Sequence, residues 1–314
     1  MLTRASLRYY AGTNALVVLG VAVAVAVLAG ALLVGVSVRE SLRQIALGRL
    51  GATDAIITAP MFFRSALADD LVARSPQQIT AAAPLIVAAG AVTHAESRRT
   101  AGHVTVYGID QRFGRFHGID GLTPGDRDAL ISEALAAELG AKVGDAITLT
   151  LAKPTDIPLA SIQGRRDSTG ERIRLTVSRV LDRASLGDFS LSPSQGPVLA
   201  IYVPLERLQK DLDLGPRVNT LLVQGVGTII PLGGTLDDLG LRSRIAPSGE
   251  TIIESRAGVI QDELANQISK IAERNHRAVE PVLTYVANAI RIADREVTYS
   301  TISAINLRNR GIAG

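Results

Sequence analysis

One stretch of 24 residues without a charged side chain, Ala15–Val38, constrains this chain more than any other feature of its sequence. As an α-helix it would be about 36 Å long, since each residue adds about 1.5 Å. The hydrocarbon core of a bilayer is about 30 Å thick, so such a helix crosses it with some tilt. Tyr9 and Tyr10 come shortly before the run, where aromatic rings favour the membrane interface. The sequence therefore predicts a single transmembrane anchor near the N-terminus.

A cleaved signal peptide is the competing interpretation of this run, because Arg4 and Arg8 resemble a charged n-region. Signal h-regions are usually about 7–15 residues long, so the run is too long for that class. Charge alone leaves the orientation open, because arginines flank the run on both sides and an N-terminus-in topology is one of two options. The charged residues that follow the run are Arg39, Glu40, Arg43, Arg49 and Asp54.

The helix is predicted to continue beyond the membrane segment as a stalk. No proline separates Val38 from Leu50, and apolar residues recur at helical spacing between charged ones. Gly51 is the expected C-terminal cap. The alternative is that the apolar stripe packs on the following domain. The stripe consists of Leu42, Ile45, Ala46 and Leu50.

Composition narrows the function classes. The net charge is +3 and the arginines are scattered among acidic residues, so no basic face for nucleic acid is visible. The chain has no cysteine, which excludes disulfides, a thiol nucleophile and a cysteine-ligated metal. Apolar residues make up 47% of the chain, which is at the upper edge for a soluble protein. The anchor run accounts for much of this excess.

Short strands alternate with short helices after Gly51, and this mixture predicts an α+β domain rather than a doubly wound parallel sheet. The region Leu130–Leu151 predicts a strand, a helix closed by Gly140, a turn and a second strand. The other predicted strands are Ala55–Thr58, Leu85–Val92, His103–Tyr107 (a hairpin with the preceding one), Arg172–Leu181, Val198–Val203 and Asn219–Gln224. The other predicted helices are Phe62–Arg74 and Leu205–Leu212.

The order of elements then restarts, which predicts a divergent duplication. Ile252-Ile253 would correspond to Ile56-Ile57, and 259–273 to 62–74. The segment 281–290 would correspond to 84–92, and 297–300 to 104–108. Chance recurrence of strand–helix–strand order is the alternative. If the repeat is real, its second copy stops before a counterpart of Leu130–Leu151, and the chain is expected to be a C-terminally truncated fragment.

These features together resemble the large permease subunits of bacterial ABC transporters of the MacB/FtsX type. The resemblance rests on the arginine-flanked helix, on Arg43–Asp54 with its Leu50-Gly-Ala-Thr-Asp54, and on the Leu-Gly-x-x-x-Gly-Asp turn within Leu130–Leu151. The segment 281–300 is similar to the second extracytoplasmic segment of longer members. The resemblance implies a cytoplasmic N-terminus, a MacB-like periplasmic core domain and a separate cytoplasmic ATPase.

The sequence departs from this family in one respect, because no second hydrophobic run of membrane length follows residue 50. Family members carry three further membrane helices. The chain is therefore expected to be either a truncated subunit or an isolated anchored domain. The expected organisation is a cytoplasmic N-terminus at 1–14, a transmembrane helix and stalk at 15–50, a core domain at 51–226 and a second, incomplete segment at 227–314.

No pattern in the sequence predicts a catalytic site. A Gly-x-x-x-x-Gly-Lys-Ser/Thr loop, a His-Glu-x-x-His helix and a Gly-x-Ser-x-Gly elbow are all absent. His94, His103 and His117 could gather on a metal, but their spacings fit no helical ligand pair, and we interpret them as surface or strand residues. No catalytic, cofactor-binding or metal-binding residue is therefore predicted, and the chain is expected not to be an enzyme by itself.

Three further groups of residues have ordinary structural interpretations. Glu133 and Glu138 are five residues apart, which places them on different faces of a helix as solvated charges. Asp145 is interpreted as a turn former. A glycine-rich loop lacks the Gly-x-Gly start and the strand–loop–helix frame of a phosphate site. That loop comprises Gly108, Phe113, Gly114, Phe116, Gly118 and Gly121.

The expected function is that of an ABC transporter permease subunit in the bacterial cytoplasmic (inner) membrane, with most of the chain outside. It would couple a separate ATPase, which binds the ATP, to movement of the periplasmic domains for export or envelope substrate handling. The expected partners are that ATPase, membrane lipid, a second permease subunit and a periplasmic substrate or adaptor, with no nucleic acid and no cofactor of its own. The alternative is a membrane-anchored extracytoplasmic binding or scaffold module that needs no ATPase.

Overall fold

The computed structural model describes residues 9–152, 170–193, 196–225, 234–293 and 295–305. These residues belong to two compact units. The first unit holds the described residues of 9–60, 65–152 and 170–225, and the second holds those of 61–64 and 234–305. The domain division expected at residues 226 and 227 stays a prediction.

A single long helix, α1 (Ala11–Arg49), contains the whole uncharged run. Its 39 residues extend over about 58 Å and pass from Val38 into the stalk without a break, as the sequence predicts. Among the described residues it is the one helix long and apolar enough to cross a membrane, and none of its residues is buried. Leu42 and Ile45 are exposed, whereas Ala46 is half-buried, so contact with the domain begins only in the last helical turn.

Eight strands form one sheet, in the order β1-β8-β2-β3-β7-β4-β6-β5. Strand β2 also pairs with β5, so the six strands from β2 to β5 close into a ring. The pairs β3–β7 and β4–β6 are parallel, whereas β2 is antiparallel to β3, β5 and β8, so the sheet is mixed and the α+β class is confirmed. The strands are β1 (Ala55–Arg64), β2 (Ala81–His94), β3 (Thr100–Ile109), β4 (Asp128–Ser132), β5 (Ala146–Leu151), β6 (Glu171–Leu181), β7 (Ala200–Pro204) and β8 (Arg217–Gln224).

Ring closure depends on the length of β2. Its first part, Ala81–Leu85, pairs with β8, and its second part pairs with β3 on one edge and β5 on the other. A bulge between Gly90 and Val92 lies where the β5 pairing starts, and bulges bend a strand and increase its twist. An added Cβ at Gly90 would lie 2.9 Å from the Leu151 side chain, so the absence of a side chain allows this close approach.

Four short helices pack on the sheet: α2 (Leu67–Arg74), α3 (Gln111–His117), α4 (Glu133–Leu139) and α5 (Leu205–Asp211). The predicted strand–helix–turn–strand order of Leu130–Leu151 is confirmed as β4, α4 and β5. Ser132 caps the start of α4, and Gly140 at φ 67° ends it. The backbone N–H of Lys142 donates to Asp145 Oδ2 at 2.7 Å, which confirms Asp145 as a turn former.

Two local predictions were wrong. The predicted helix Phe62–Arg74 begins only at Leu67, because β1 runs on to Arg64 and buries Phe63. The predicted glycine-rich loop is not a loop: Gly108 lies in β3, and Gly114 lies in α3. Tertiary pairing decided both cases, because apolar residues near a segment boundary satisfy either a strand or a helix pattern.

The described part of the second unit contains a 3-10 turn (Leu236–Leu239), two antiparallel hairpins and one helix. The hairpins are β9 (Leu241–Ile245) with β10 (Thr251–Ser255), and β11 (Leu283–Ile292) with β12 (Arg295–Ala304), and the helix is α6 (Asp262–Arg274). The order β10, α6, β11, β12 has the same element types as β1, α2, β2, β3, and both closing hairpins are antiparallel. That shared order is what the predicted duplication requires, and the duplication itself stays a prediction.

Candidate functional site

The three histidines considered from the sequence lie in three different settings. His94 is the last residue of β2 and is 3% exposed, whereas His103 is an exposed residue of β3. His117 ends α3 and is half-buried, so its interpretation as a surface or strand residue was wrong. Within the described residues, the one cluster of potential metal ligands contains His94 with Glu96 and Asp145, without His103 or His117.

The other residues considered from the sequence form no cluster of functional groups in the described part of the chain. Glu133 and Glu138 are exposed on α4, as expected for solvated charges. Phe113 and Phe116 are buried in the core. A denser set of contacts lies where the end of α1 meets the core.

The C-terminal end of α1 is fixed to the core by its own backbone and by Arg49. The Arg49 guanidinium donates to the Gly196 carbonyl at 2.9 Å, and the Arg49 carbonyl accepts from the Ser190 N–H at 3.3 Å. Gly51 follows the helix at φ 57°, in the left-handed region that glycine adopts most easily. The predicted end of the helix at Gly51 is thus confirmed.

His117 lies directly beneath this helix end. Its Nδ1 accepts a hydrogen bond from the Ala52 N–H at 3.1 Å. A Cβ added to Gly51 would lie 2.6 Å from the same Nδ1, so the left-handed glycine also leaves room for the ring. Because Nδ1 accepts, the neutral ring must carry its proton on Nε2. Burial lowers the pKa of His117 to about 4, from an ordinary value of 6.5, so the ring is neutral at neutral pH.

An aromatic cluster supports His117 from below. Phe113, Phe116 and Phe189 meet the imidazole edge to face, with ring centroids 4.7, 4.9 and 5.4 Å away. Tyr107 and Tyr202 extend the cluster, stacked at 5.2 Å. The chain has eleven phenylalanines and tyrosines, and five of them belong to this cluster. Nearly half of its aromatic side chains therefore pack next to the end of α1.

The two tyrosines also fix the segment that receives the helix. Tyr202 Oη donates to the Leu186 carbonyl at 2.6 Å, and Tyr107 Oη donates to the Phe189 carbonyl at 3.4 Å. Burial raises the pKa of both phenols, so both remain protonated donors. The segment 186–190 therefore contacts the helix end through the Ser190 N–H and the core through the two tyrosines.

We call this set of contacts, Arg49, Gly51, Ala52, His117 and Phe189, the helix–core joint. It connects a long, unbroken helix to a packed aromatic cluster through hydrogen bonds at and just beyond the last helical turn. The rings pack closely around the bonded end of the helix, and close-packed protein interiors have low compressibility. Its five residues include no nucleophile beside a base.

Sequence reasoning identified Gly51 but missed His117 and Phe189 as its neighbours. The spacing of Phe113, Phe116 and His117 on one short segment was the available indication, because a buried aromatic pair beside a histidine favours a packed ring over a surface one. Phe189 lies 72 positions after His117, and nothing local relates the two residues.

Comparison with known proteins gives a match to a family model and to solved structures. A family model described as the MacB-like periplasmic core domain matches residues 14–271, which is most of the chain. The periplasmic region of MacB from Actinobacillus actinomycetemcomitans is similar at 13% identity and a TM-score of 0.35, covering 74% of this chain and 98% of that one. The extracellular domain of YknZ, a noncanonic ABC-type transporter from Gram-positive bacteria, is similar at 15% identity and a TM-score of 0.35, covering 54% of this chain and 76% of that one. None of the curated proteins compared with the sequence matches it.

Proposed function

This chain belongs to the family of MacB-like periplasmic core domains, and from that premise we propose how it works as a permease component of an ABC-type transporter. It is anchored by α1, and its bulk lies outside the cytoplasm. A separate cytoplasmic ATPase drives it. Closure of that ATPase moves α1, and the helix–core joint passes the movement to the extracytoplasmic core. The work is done on an envelope substrate or adaptor rather than by passage through one helix.

The single observation that carries this proposal is the unbroken path from the membrane segment to the core. Helix α1 has no proline and no break over 39 residues, and its last turn is bonded to the core through Arg49 and Ala52. A flexible tether would serve an anchor equally well. A rigid rod with a bonded, aromatic-backed end is the arrangement expected of a lever.

Orientation is tested by cysteine labelling, which suits a chain that contains no cysteine of its own. The variants Ser6→Cys, before the anchor, and Arg115→Cys, on the exposed side of α3, are treated with a membrane-impermeant maleimide in intact spheroplasts. Labelling of residue 115 alone, with residue 6 labelled only after permeabilisation, supports an N-terminus in the cytoplasm. The reverse pattern refutes that orientation.

Coupling is tested by electron paramagnetic resonance distances between labels at residue 43 on the stalk and residue 115 on the core. The full chain is reconstituted with its ATPase and compared in the nucleotide-free and vanadate-trapped states. Gly51→Ala should misplace the joint, since it introduces a Cβ at φ 57° against His117, and should reduce the nucleotide response. Gly48→Ala is the matched control, because its Cβ would lie in an exposed part of the helix, 3.8 Å from the Arg183 side chain.

Two outcomes would count against the lever. If the distance between labels at residues 43 and 115 changes equally with nucleotide in both glycine variants, the helix–core joint does not transmit the movement. A distance that never responds to nucleotide in the reconstituted complex would favour the alternative of an anchored binding or scaffold module without an ATPase.

A further inference from the structure

A second cluster of polar side chains lies at the tip of the β2–β3 hairpin, apart from the helix–core joint. His94 ends β2, Glu96 lies in the hairpin turn, and Asp145 immediately precedes β5. One ligand atom of each residue lies within 4.8 Å of the other two. An imidazole and two carboxylates are a donor set that divalent transition metals accept.

The hydrogen bonds around His94 define what its ring offers. Nδ1 lies 2.8 Å from the Ser97 hydroxyl oxygen, and that hydroxyl donates its proton to the Leu139 carbonyl at 3.2 Å. The hydroxyl oxygen can therefore accept from Nδ1–H when Nε2 binds a metal. Without a metal, Nδ1 accepts from the Ser97 N–H at 3.3 Å, so the neutral ring carries its proton on Nε2. In a metal-bound histidine the second ring nitrogen donates to a protein oxygen, and the Ser97 hydroxyl oxygen lies where it can accept that bond.

His94 Nε2 is the atom that calls for a partner. The side chain is 4% exposed, Nε2 is buried, and it makes no hydrogen bond. Its nearest polar neighbour is Asp145 Oδ2 at 3.2 Å. A divalent cation between these two atoms would take the place of the Nε2 proton and bond to both. Two ligand atoms on a tetrahedral zinc ion, each about 2.0–2.1 Å from the metal, are about 3.3 Å apart, which matches this distance.

The backbone holds the three residues in place without help from a metal. The Ala95 N–H donates to the Ala146 carbonyl at 3.0 Å, which fixes the hairpin turn to the start of β5. The Asp145 side chain is oriented by the Lys142 N–H. Glu96 is exposed, so solvent reaches the cluster and can complete a coordination shell.

We propose that His94, Glu96 and Asp145 form a divalent transition-metal site with a preference for Zn²⁺. Imidazole and carboxylate ligands in tetrahedral geometry suit this ion, and three protein ligands leave one position for water. The metal joins the tip of the β2–β3 hairpin to the turn before β5, at the place where the ring of strands closes. This inference does not depend on the proposed transport function.

The test is a competition titration of the purified full chain in detergent, with Zn²⁺ alone and a chromophoric chelator as indicator. We expect one equivalent of Zn²⁺ per chain. Glu96→Gln and Asp145→Asn keep size and hydrogen-bonding atoms but remove a charged ligand, and each should weaken binding by at least about tenfold. Glu96 is exposed, so its variant keeps the fold and remains informative even if changes at His94 do not.

His103→Gln is the matched control, because it removes an exposed histidine of β3 outside the cluster and should leave the affinity unchanged. Replacement of Zn²⁺ by Co²⁺ provides a second readout, since tetrahedral Co²⁺ gives strong visible absorption that both carboxylate variants should reduce. The proposal is overturned if the unmodified chain takes up no stoichiometric Zn²⁺. It is equally overturned if Glu96→Gln and Asp145→Asn bind Zn²⁺ as tightly as the unmodified chain, or no more weakly than His103→Gln.

Discussion

Acidification should loosen the helix–core joint through His117. The unfolded chain binds a proton at this residue near the ordinary pKa of 6.5, whereas the folded chain binds it only near 4 because of burial. The folded state therefore keeps its full stability above pH 6.5 and loses it as the pH falls toward 4, with no further loss from this residue below 4. That pKa difference corresponds to about 3 kcal/mol of unfolding free energy.

The structure also says how the loss occurs. Nδ1 accepts from the Ala52 N–H, and a proton on Nδ1 replaces that acceptor with a second donor. The imidazolium would also be a charge among Phe113, Phe116 and Phe189, with water largely excluded. Protonation thus breaks the hydrogen bond that ties the end of α1 to the core.

Urea denaturation of the full chain in detergent, at pH values from 7.5 to 4, measures this effect. The chain has no tryptophan, and Tyr107 and Tyr202 are buried beside the joint, so near-ultraviolet circular dichroism of tyrosine reports on it. His117→Gln retains an amide oxygen that can accept from Ala52 but does not titrate. The difference in unfolding free energy between the unmodified chain and this variant should change by about 3 kcal/mol over the range.

Carboxylates that titrate in the same range are common to both proteins and cancel in the difference. His103→Gln serves as the histidine control and should follow the unmodified chain at every pH. If the difference between the unmodified chain and His117→Gln stays constant from pH 7.5 to 4, the reasoning about a buried neutral imidazole at the joint is refuted.

Two further substitutions test how each unit is held together. Ser132→Ala should lower the unfolding free energy by about 2–3 kcal/mol, because the buried hydroxyl donates to the Val198 carbonyl at 2.8 Å and also caps α4, and its loss shifts the urea midpoint. Asp238→Asn should destabilise the second unit by about 2 kcal/mol, because the Asp238 carboxylate accepts three hydrogen bonds from the Arg64 guanidinium. Faster hydrogen exchange in 236–245 would measure this loss.

Each substitution has a matched control. Ser178→Ala removes the hydroxyl of an exposed residue, which donates to the Ala129 carbonyl at 3.3 Å, and should have a much smaller effect than Ser132→Ala. Glu254→Gln weakens an ion pair with the exposed Arg242 and Arg244 and should change exchange less than Asp238→Asn. If a substitution and its control had equal effects, burial and the number of hydrogen bonds would not determine the loss of stability.

The acid response of Asp238 follows from the same contacts. Burial opposes ionisation of this carboxyl, but hydrogen bonds from Arg64 and Thr235 outweigh it, so its pKa lies below the usual range. A carboxyl whose folded-state pKa is lowered contributes stability above its unfolded pKa and loses it as the pH falls. Asp238→Asn should therefore flatten the low-pH part of the exchange profile in the second unit, at lower pH than the change that His117 causes.

The sequence alone determined those features whose physical cause is local. Twenty-four uncharged residues can form a membrane helix without any other part of the chain, and absence of proline lets that helix continue to Arg49. Gly51 and Gly140 end helices because a left-handed residue is easiest for glycine. The strand–helix–turn–strand order of Leu130–Leu151 follows from capping and alternation over 22 residues.

Only the tertiary structure decided the features that depend on residues far apart in the chain. Pairing of β2 with β5 closes the ring of strands, and no periodicity within either strand shows that they will meet. His117 gained its role from Ala52 and Phe189, and His94 from Asp145, 51 positions later. A side chain acquires its charge state and its partner from the atoms that surround it after folding. Residue spacing therefore disfavoured a shared metal site for the three histidines, while the joint and the hairpin cluster emerged only from the fold.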